Sequence, residues 1–374
     1  MTRKDVKNVN IIYLVFLLLL VGARIAANFG FFDLFGNFSD SMFSLIVQIL
    51  FMALLPIFGF TLVKKQNVGK TLKDFKFKKI SFKAILYCVL LGALIFVLNL
   101  AVSSAFSFIL SLFGFETASS FDADAYKGGV NLIIMILTSA VLPGICEEIM
   151  HRGMLLQTYK TYGVKNAIII SSILFGLMHL NVSQFFYATV IGLIIAFVDM
   201  TSDNIIPGII IHFMNNALSI YFTFAYVNNW PGATTYAILT SLTDVFGGVF
   251  GFIFSLIAIC LVVFGIIVLI SKLYGETRGD DFKTKANRLF LKRFFGIDTR
   301  AIQKQVVINE FGEQEVFMRE VPPEEDDLVN QTIELLNDDD VVVRKTSLYE
   351  NVFLIGSYVL AGVVTLFTFI WGIL

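Results

Sequence analysis

Residues 84–115 read AILYCVLLGALIFVLNLAVSSAFSFILSLFGF, a run without a charged side chain. A helix needs about 20 mostly apolar residues to cross a bilayer core of about 30 Å, and this run is longer. It therefore predicts a membrane-spanning helix. The whole chain of 374 residues has the same character, since 57% of it is hydrophobic and 15% is charged. Soluble proteins average about 45–50% apolar and about 25% charged residues, so we exclude soluble enzymes and disordered chains.

Nine stretches meet this criterion and predict an all-α, polytopic membrane helix bundle of about eight to nine transmembrane helices. The first contains Arg24, which the apolar part of a secretory signal peptide would not carry, so we keep it as a helix. The fifth and sixth stretches are short and lie only a few residues apart. The predicted spans are 10–32, 41–63, 84–115, 131–158, 165–181, 185–200, 205–225, 246–273 and 351–373.

The distribution of basic residues between the spans predicts the orientation of the chain. Three basic residues precede residue 8, and the loop 64–83 carries eight lysines. The loop between the first two spans contains Asp33 and Asp40 and no basic residue, and the loop 116–130 has three acidic residues against one lysine. We therefore expect an integral, multi-pass protein of the cell membrane with a cytoplasmic N-terminus. Nine crossings would place the C-terminus outside.

Residues 274–350 form the one long polar stretch, and they hold about half of the charged residues of the chain. The part 278–304 is mostly basic, and the part 310–340 is strongly acidic. We expect a charged, partly helical cytoplasmic region before the last membrane helix, with its basic part on anionic lipid headgroups. The formal net charge of −1 argues against a nucleic-acid partner and leaves membrane lipid as the expected surroundings.

Ionisable side chains inside membrane spans are costly, so each is a candidate functional residue. Apart from Arg24, those away from the span edges lie between residues 147 and 216, and all three histidines of the chain fall in the same window. This clustering within one window predicts a single polar site in the membrane. The residues concerned are Glu147, Glu148, His151, Arg152, His179 and His212.

Glu148 and Arg152 are four residues apart on one predicted helix, so their side chains share a face and can form an ion pair. Glu147 points about 100° away on the same helix and is left without an arginine. A buried carboxylate of this kind suits a general base. The alternative is that all three residues form a purely structural ion-pair cluster.

His179 and Glu147 are predicted to lie at the same depth in the membrane. The turn between their helices is near 161–163, and both residues are about 16 positions from it in an antiparallel hairpin. Phe175 is four residues before His179 and shares its face. A lone histidine on an apolar helix is more often a core residue, but this one is level with a buried carboxylate.

His212 and Asn216 share a face of a third helix, and Asn215 lies beside them at a different angle. Amides and imidazoles in membranes also join helices without any catalytic role, which is the alternative for this element. The pairs Pro143-Gly144 and Pro207-Gly208 precede two of the three elements and can open room between helices.

These three elements resemble the signature of the CPBP family, also called the Abi or CAAX-protease-and-bacteriocin-processing family. Its pattern is EExxxR, then FxxxH, then HxxxN, and here it stands at Glu147–Arg152, Phe175–His179 and His212–Asn216. The resemblance implies an intramembrane endopeptidase similar to the type II CAAX prenyl endopeptidase. It also implies that Glu147 and His179 activate water, and that His212 and Asn216 stabilise the oxyanion. Glu148, Arg152 and Phe175 would have supporting roles.

The family has been described as metal-dependent, so zinc held by Glu147, His179 and His212 is the alternative to catalysis without a cofactor. Those ligands would come from three separate helices, and no carboxylate is identifiable from the sequence as an orienting partner for the imidazoles. Asn216 has little affinity for zinc but suits an oxyanion, and the nearby charge of Arg152 disfavours a dication. We therefore expect no metal and no other cofactor.

The motifs predict hydrolysis of a peptide or membrane-protein substrate close to lipid. Two other functions are compatible with the sequence: a non-catalytic membrane regulator, scaffold or bacteriocin immunity protein on the same fold, and a transporter with a proton relay. A transporter would spread its acids over several helices and show internal symmetry, and the sequence shows neither.

The expected division is membrane helices in 1–130, a CPBP-like catalytic core in 131–225, a membrane helix in 246–273, the charged region 274–350 and a last membrane helix in 351–374.

Overall fold

The computed structural model describes residues 2–115, 123–245, 247–279, 302–308, 314–320 and 348–371. Within these residues the chain is a bundle of helices, to which the charged region adds two short strands. In chain order the helices are α1 (Arg3–Asn28), α2 (Ser39–Lys64), α3 (Val68–Asp74), α4 (Phe82–Ser111), α5 (Gly129–Tyr162), α6 (Val164–Leu177), α7 (Val182–Ser202), α8 (Ile206–Asn228), α9 (Ala233–Val245), α10 (Gly247–Arg278) and α11 (Leu348–Trp371).

Eight of the described helices are long and apolar enough to cross a membrane, which confirms the predicted helix bundle and a multi-pass membrane protein. The predicted span 165–181 corresponds to α6, whose 14 residues reach about 21 Å at 1.5 Å per residue. This length is less than the thickness of a bilayer core. The predicted span 185–200 corresponds to α7, which is longer at 21 residues because Asn181 caps it and starts it earlier.

The charged region contains an antiparallel hairpin of β1 (Ile302–Ile308) and β2 (Gln314–Glu320), in which Ile302 lies opposite Glu320. We expected this region to be partly helical, and most of it lies outside the described residues, so that expectation stays a prediction. The acidic runs 324–327 and 338–340 lie outside the described residues.

One end of the bundle, here called the basic end, collects the lysines of the loop 64–83. Asp203, in the turn between α7 and α8, pairs with Lys76 at 3.1 Å, with Lys78, and with Lys160 at the end of α5 at 3.9 Å. Burial acts to raise the pKa of Asp203, but hydrogen bonds from Lys78 and Lys76 and the nearby positive charges lower it below its usual range. Arg278, at the end of α10, donates to the carbonyl oxygen of Thr201 at 3.0 Å. Four helix ends therefore meet at one level.

Two of the long helices contain wider, π-helical turns next to the polar site. In α2 such a turn covers Ile46–Leu54, and in α5 two of them cover Leu137–Val141 and Ile149–Leu156. Pro143 comes just after the first π-helical turn of α5. Because proline has no backbone N–H, the carbonyl oxygen of Ser139 lacks the donor that residue 143 would supply in a regular α-helix. Turns of this kind change which side chains a helix presents to its neighbours, and they often occur at functional sites.

Candidate active site

A cavity of about 310 Å³, here called the site cavity, lies between α2, α5, α6, α7 and α8. Every residue that the sequence assigned a catalytic role lines it, and so does Phe175 from the supporting group. The three motifs, far apart in the chain, therefore converge on one space. The catalytic candidates that line the site cavity are Glu147, His179, His212 and Asn216.

Glu147 is buried, with 5% of its surface exposed, and its two carboxylate oxygens have different surroundings. Oε1 accepts a hydrogen bond from Nε2 of Gln48 at 2.8 Å. Oε2 lies 3.9 Å from Nε2 of His212 and has no hydrogen-bond partner among the described residues. The oxygen without a partner is the one that can accept a proton from a bound molecule.

Glu148 is fully buried and joins two other members of the site. Its Oε2 lies 3.1 Å from Nε of Arg152, which is the ion pair that the four-residue spacing predicted. Its Oε1 lies 2.8 Å from Nδ1 of His212. The expectation that no carboxylate orients an imidazole is wrong, because Glu148 has this position beside His212.

Arg152 is held by more than its ion pair. One of its terminal nitrogens donates to the carbonyl oxygen of Gly192 on α7 at 3.1 Å. Its guanidinium carbon lies 4.5 Å from the centre of the Phe175 ring, which is a cation–π contact. Since Arg152 is fully buried, these contacts fix its charge in place behind Glu148 and away from the site cavity.

Phe175 is the common neighbour of the three histidines. Its ring centre lies 5.2 Å from that of His151 and 5.6 Å from those of His179 and His212, each in an edge-to-face arrangement. His151 is fully buried, its Nδ1 lies 2.9 Å from the backbone oxygen of Glu147, and it is not among the residues that line the site cavity. The structure thus separates a packed histidine, His151, from two histidines that reach the site cavity.

His179 lies just after the end of α6, where its backbone N–H donates to the oxygen of Gly176 at 3.3 Å. His179 and Glu147 both line the site cavity. Gly176 allows α6 to approach α7 closely, because a Cβ atom there would lie 2.7 Å from the backbone oxygen of Phe185. This close packing places the end of α6, and with it His179, over the site.

Asn216 connects α8 to the backbone of Ser139, whose usual i+4 donor is missing because residue 143 is a proline. Its Nδ2 donates to the oxygen of Ser139 at 3.3 Å, and its Oδ1 accepts from Nδ2 of Asn215 at 2.9 Å. Asn215 in turn accepts a long hydrogen bond of 3.4 Å from Asn99 on α4. The amides therefore form a chain along one wall of the site cavity.

Sequence reasoning missed two residues, Gln48 and Asp199. Gln48 lines the site cavity together with Asn215, but nothing in the local sequence of Gln48 relates it to Glu147. Asp199 was treated as part of a span edge, but α7 continues to Ser202 and buries it. Its Oδ1 accepts the backbone N–H of Gly208 at 2.7 Å, near the start of the helix that carries His212. Counting every acid within a longer α7 would have found Asp199.

The donor set does not fit a zinc site in this arrangement. In the described part of the chain, no three His, Cys, Asp or Glu side chains are grouped closely enough to hold a metal ion. Glu147 and His212 are neighbours, but His179 does not complete a set of three with them. Catalysis without a metal stays a prediction, and no step below depends on one.

Residues 129–218 match the family described as type II CAAX prenyl endopeptidase Rce1-like. This segment is therefore similar to that family. The family resemblance drawn from the three motifs is thereby confirmed, and the match covers about a quarter of the chain. No curated protein and no solved structure matches the chain.

The CAAX-protease match begins at the first residue of α5 and ends inside α8. It therefore contains all four catalytic candidates and the ion pair of Glu148 and Arg152. It leaves out α2, which supplies Gln48, and α4, which supplies Asn99. The chain is thus a multi-pass membrane protein that surrounds a CAAX-protease-like segment with helices of its own.

Proposed function

We propose that the protein is an intramembrane endopeptidase that hydrolyses a peptide bond of a membrane-associated peptide or protein. The observation that carries the proposal is the site cavity, in which a buried carboxylate oxygen without a partner faces an imidazole nitrogen at 3.9 Å. A general base, a second histidine and amide donors border the same space. A general base for water and donors to the oxyanion are the two contributions that peptide hydrolysis by an activated water needs.

In the first step a water molecule in the site cavity attacks the peptide carbonyl carbon. Oε2 of Glu147 accepts one proton of this water, while His179 holds the water from the other side. A carbon–oxygen bond forms, and the electron pair of the carbonyl group moves to its oxygen, which becomes an oxyanion.

His212 and Asn216 are the proposed donors to this oxyanion. Nδ1 of His212 lies 2.8 Å from Oε1 of Glu148, and this contact holds the ring with Nε2 on the side of Glu147. Arg152 in turn holds Glu148 in place through its contact at 3.1 Å. One oxyanion donor is worth about 10²–10³ in kcat.

In the last step the tetrahedral intermediate collapses and the carbon–nitrogen bond breaks. The proton taken up by Glu147 passes to the leaving nitrogen, either directly or through His179. Glu147 is then ionised again, and the two peptide products can leave. The balance of atoms requires one water molecule and no redox partner.

We expect Glu147→Gln to lower kcat by about 10²–10⁴, because the amide cannot accept the proton. The measurement uses purified protein in proteoliposomes, with a fluorophore–quencher peptide that ends in a farnesylated CAAX sequence and the same peptide without the lipid. Glu276→Gln is the matched control, since Glu276 lies at the basic end and pairs with Lys83. Comparison of membrane proteomes from wild-type and Glu147→Gln cells would identify the natural substrate.

The proposal fails if Glu147→Gln cleaves as fast as the wild type, or if the wild type cleaves neither the peptides nor any membrane protein. Elemental analysis and exhaustive chelation test the metal-free mechanism on the same samples. About one zinc per chain, with activity lost on its removal and regained on its return, would replace that mechanism with a metal-dependent one.

A further inference from the structure

Gln48 belongs to α2, which lies outside the segment 129–218 that matches the CAAX-protease family. Only 7% of its surface is exposed, and it lines the site cavity from the π-helical turn of α2. Burying an amide in an apolar environment is unfavourable unless its polar atoms are paired. A glutamine in the interior of a membrane helix therefore needs a reason, and its contact with Glu147 supplies one.

The amide of Gln48 makes a hydrogen bond to one oxygen of Glu147 only. The distance from Nε2 to Oε1 is 2.8 Å, within the usual range for an N–H···O hydrogen bond. The opposite amide orientation would place two oxygen acceptors against each other, so donation by Nε2 is the assignment that an ionised carboxylate requires. The contact therefore gives Oε1 of Glu147 a fixed hydrogen-bond donor.

The same contact fixes which carboxylate oxygen is available. With Oε1 occupied by Gln48, the carboxylate cannot rotate without losing the hydrogen bond. Its Oε2 stays 3.9 Å from Nε2 of His212 and keeps its free lone pairs. Orientation of a reacting group within a fraction of an ångström is worth large factors in rate.

We propose that Gln48 is a positioning residue for the hydrolysis: its amide donates to Oε1 of Glu147 and thereby presents Oε2 to the attacking water. The inference rests on the proposed function. It assigns to a helix outside the family segment a direct part in setting the general base. Gln48 acts through Glu147 and does not itself touch the reacting atoms.

The test compares Gln48→Met with the wild type, because methionine has nearly the same length and volume and no hydrogen-bonding amide. The expected result is a fall in kcat of about ten- to a hundredfold, the range for loss of one hydrogen bond to a charged group. KM should change by less than about twofold, since ground-state binding of the peptide is not affected. The control is Gln66→Met, since Nε2 of Gln66 also donates to a carboxylate, that of Asp74, at 2.9 Å, but in a partly buried contact after α2 and away from the site cavity.

A second variant, Gln48→Glu, retains the shape and tests the donor itself. The introduced carboxyl group can donate to Glu147 only while it holds a proton. We therefore expect little activity near neutral pH and partial recovery at lower pH, with the pH optimum displaced to the acid side. A residue that only fills space would leave the pH profile of the wild type unchanged.

A double-mutant cycle on thermal stability tests the contact without any substrate. Gln48→Met, Glu147→Ala and the double variant should be non-additive, because the second change removes a contact that the first has already broken. Additive effects overturn the inference even if the protein is a protease, and so does an unchanged kcat or a change confined to KM. If the cycle is non-additive but the wild type cleaves nothing, the proposed function fails and the positioning role fails with it.

Discussion

At the scale of single residues, the fully buried pair of Glu148 and Arg152 is the most demanding feature of the site. Each of the two is stable at this depth only because the other is present, and Glu148 also orients His212. Removing one partner of a buried ion pair costs about 3–5 kcal/mol. Arg152→Met should therefore lower the melting temperature and the yield of folded protein as well as the activity.

The measurement is thermal unfolding in detergent together with kcat on the same samples. Arg278→Met at the basic end is the control, because that arginine is exposed and its removal leaves no buried charge without a partner. Adding Glu148→Gln to Arg152→Met should recover part of the stability but not the activity. Unchanged melting combined with lost activity would instead place Arg152 in the substrate site.

The same residues show how far spacing rules reach into this site. The four-residue spacing predicted the contact between Glu148 and Arg152. The geometry of a helical hairpin predicted that His179 lies near Glu147, and both line the site cavity. Gln48 could not be found in this way, because 99 positions separate it from Glu147 and only helix packing brings them together. The link from Glu148 to His212 was hidden for the same reason, since it joins α5 to α8.

At the scale of elements, Gly176 sets the distance between α6 and α7. A Cβ atom at this position would lie 2.0 Å from Oγ1 of Thr189 and 2.7 Å from the backbone oxygen of Phe185. The Thr189 side chain can move, but the backbone oxygen cannot, so the helices must separate. Gly176→Ala should therefore shift the end of α6 that carries His179.

We expect Gly176→Ala to cost about 1–3 kcal/mol of stability, as overpacking typically does, and to lower kcat by more than that loss of folded protein explains. Gly22→Ala is the control, because no atom lies within 4 Å of the Cβ position at Gly22. Adding Thr189→Ala should rescue Gly176→Ala only in part. Full activity in the single variant would show that the position of His179 does not depend on this packing.

Element boundaries and irregular turns were the least predictable features of the fold. Apolar length located the eight described helices that are long enough to cross a membrane, but it also counted the shorter α6 as a span. α7 extends beyond its predicted end and buries Asp199. The sequence pair Pro143-Gly144 suggested room between helices, and the structure gives the physical form of that room. It is a π-helical turn, and the carbonyl oxygen of Ser139 within it accepts from Nδ2 of Asn216. Hydrophobic periodicity does not report such turns, because the apolar pattern continues through them.

At the scale of the whole molecule, the turns and helix ends divide into two opposite groups. The basic end joins the loop after α2 to the turn between α7 and α8 through Asp203 and its lysines. At the other end Asn228, which closes α8, donates to the backbone oxygen of Tyr126 before α5 at 2.7 Å. α6 starts at the basic end and α7 ends there, so the chain returns to the basic end after these two helices. The shortness of α6 therefore does not change the sidedness of the helices that follow.

The excess of lysine predicts that the basic end faces the cytoplasm. Single cysteines introduced by Val68→Cys at the basic end and Leu34→Cys at the opposite end test this with a membrane-impermeant thiol reagent. Both native side chains are exposed, at 38% and 86%. The background carries Cys260→Ser, because Cys88 and Cys146 are buried and Cys260 is exposed. In intact cells we expect labelling of the Leu34→Cys protein alone, and in inverted vesicles labelling of the Val68→Cys protein alone. The reverse pattern would place the N-terminus outside and the peptide-cleaving site in a bundle of opposite orientation.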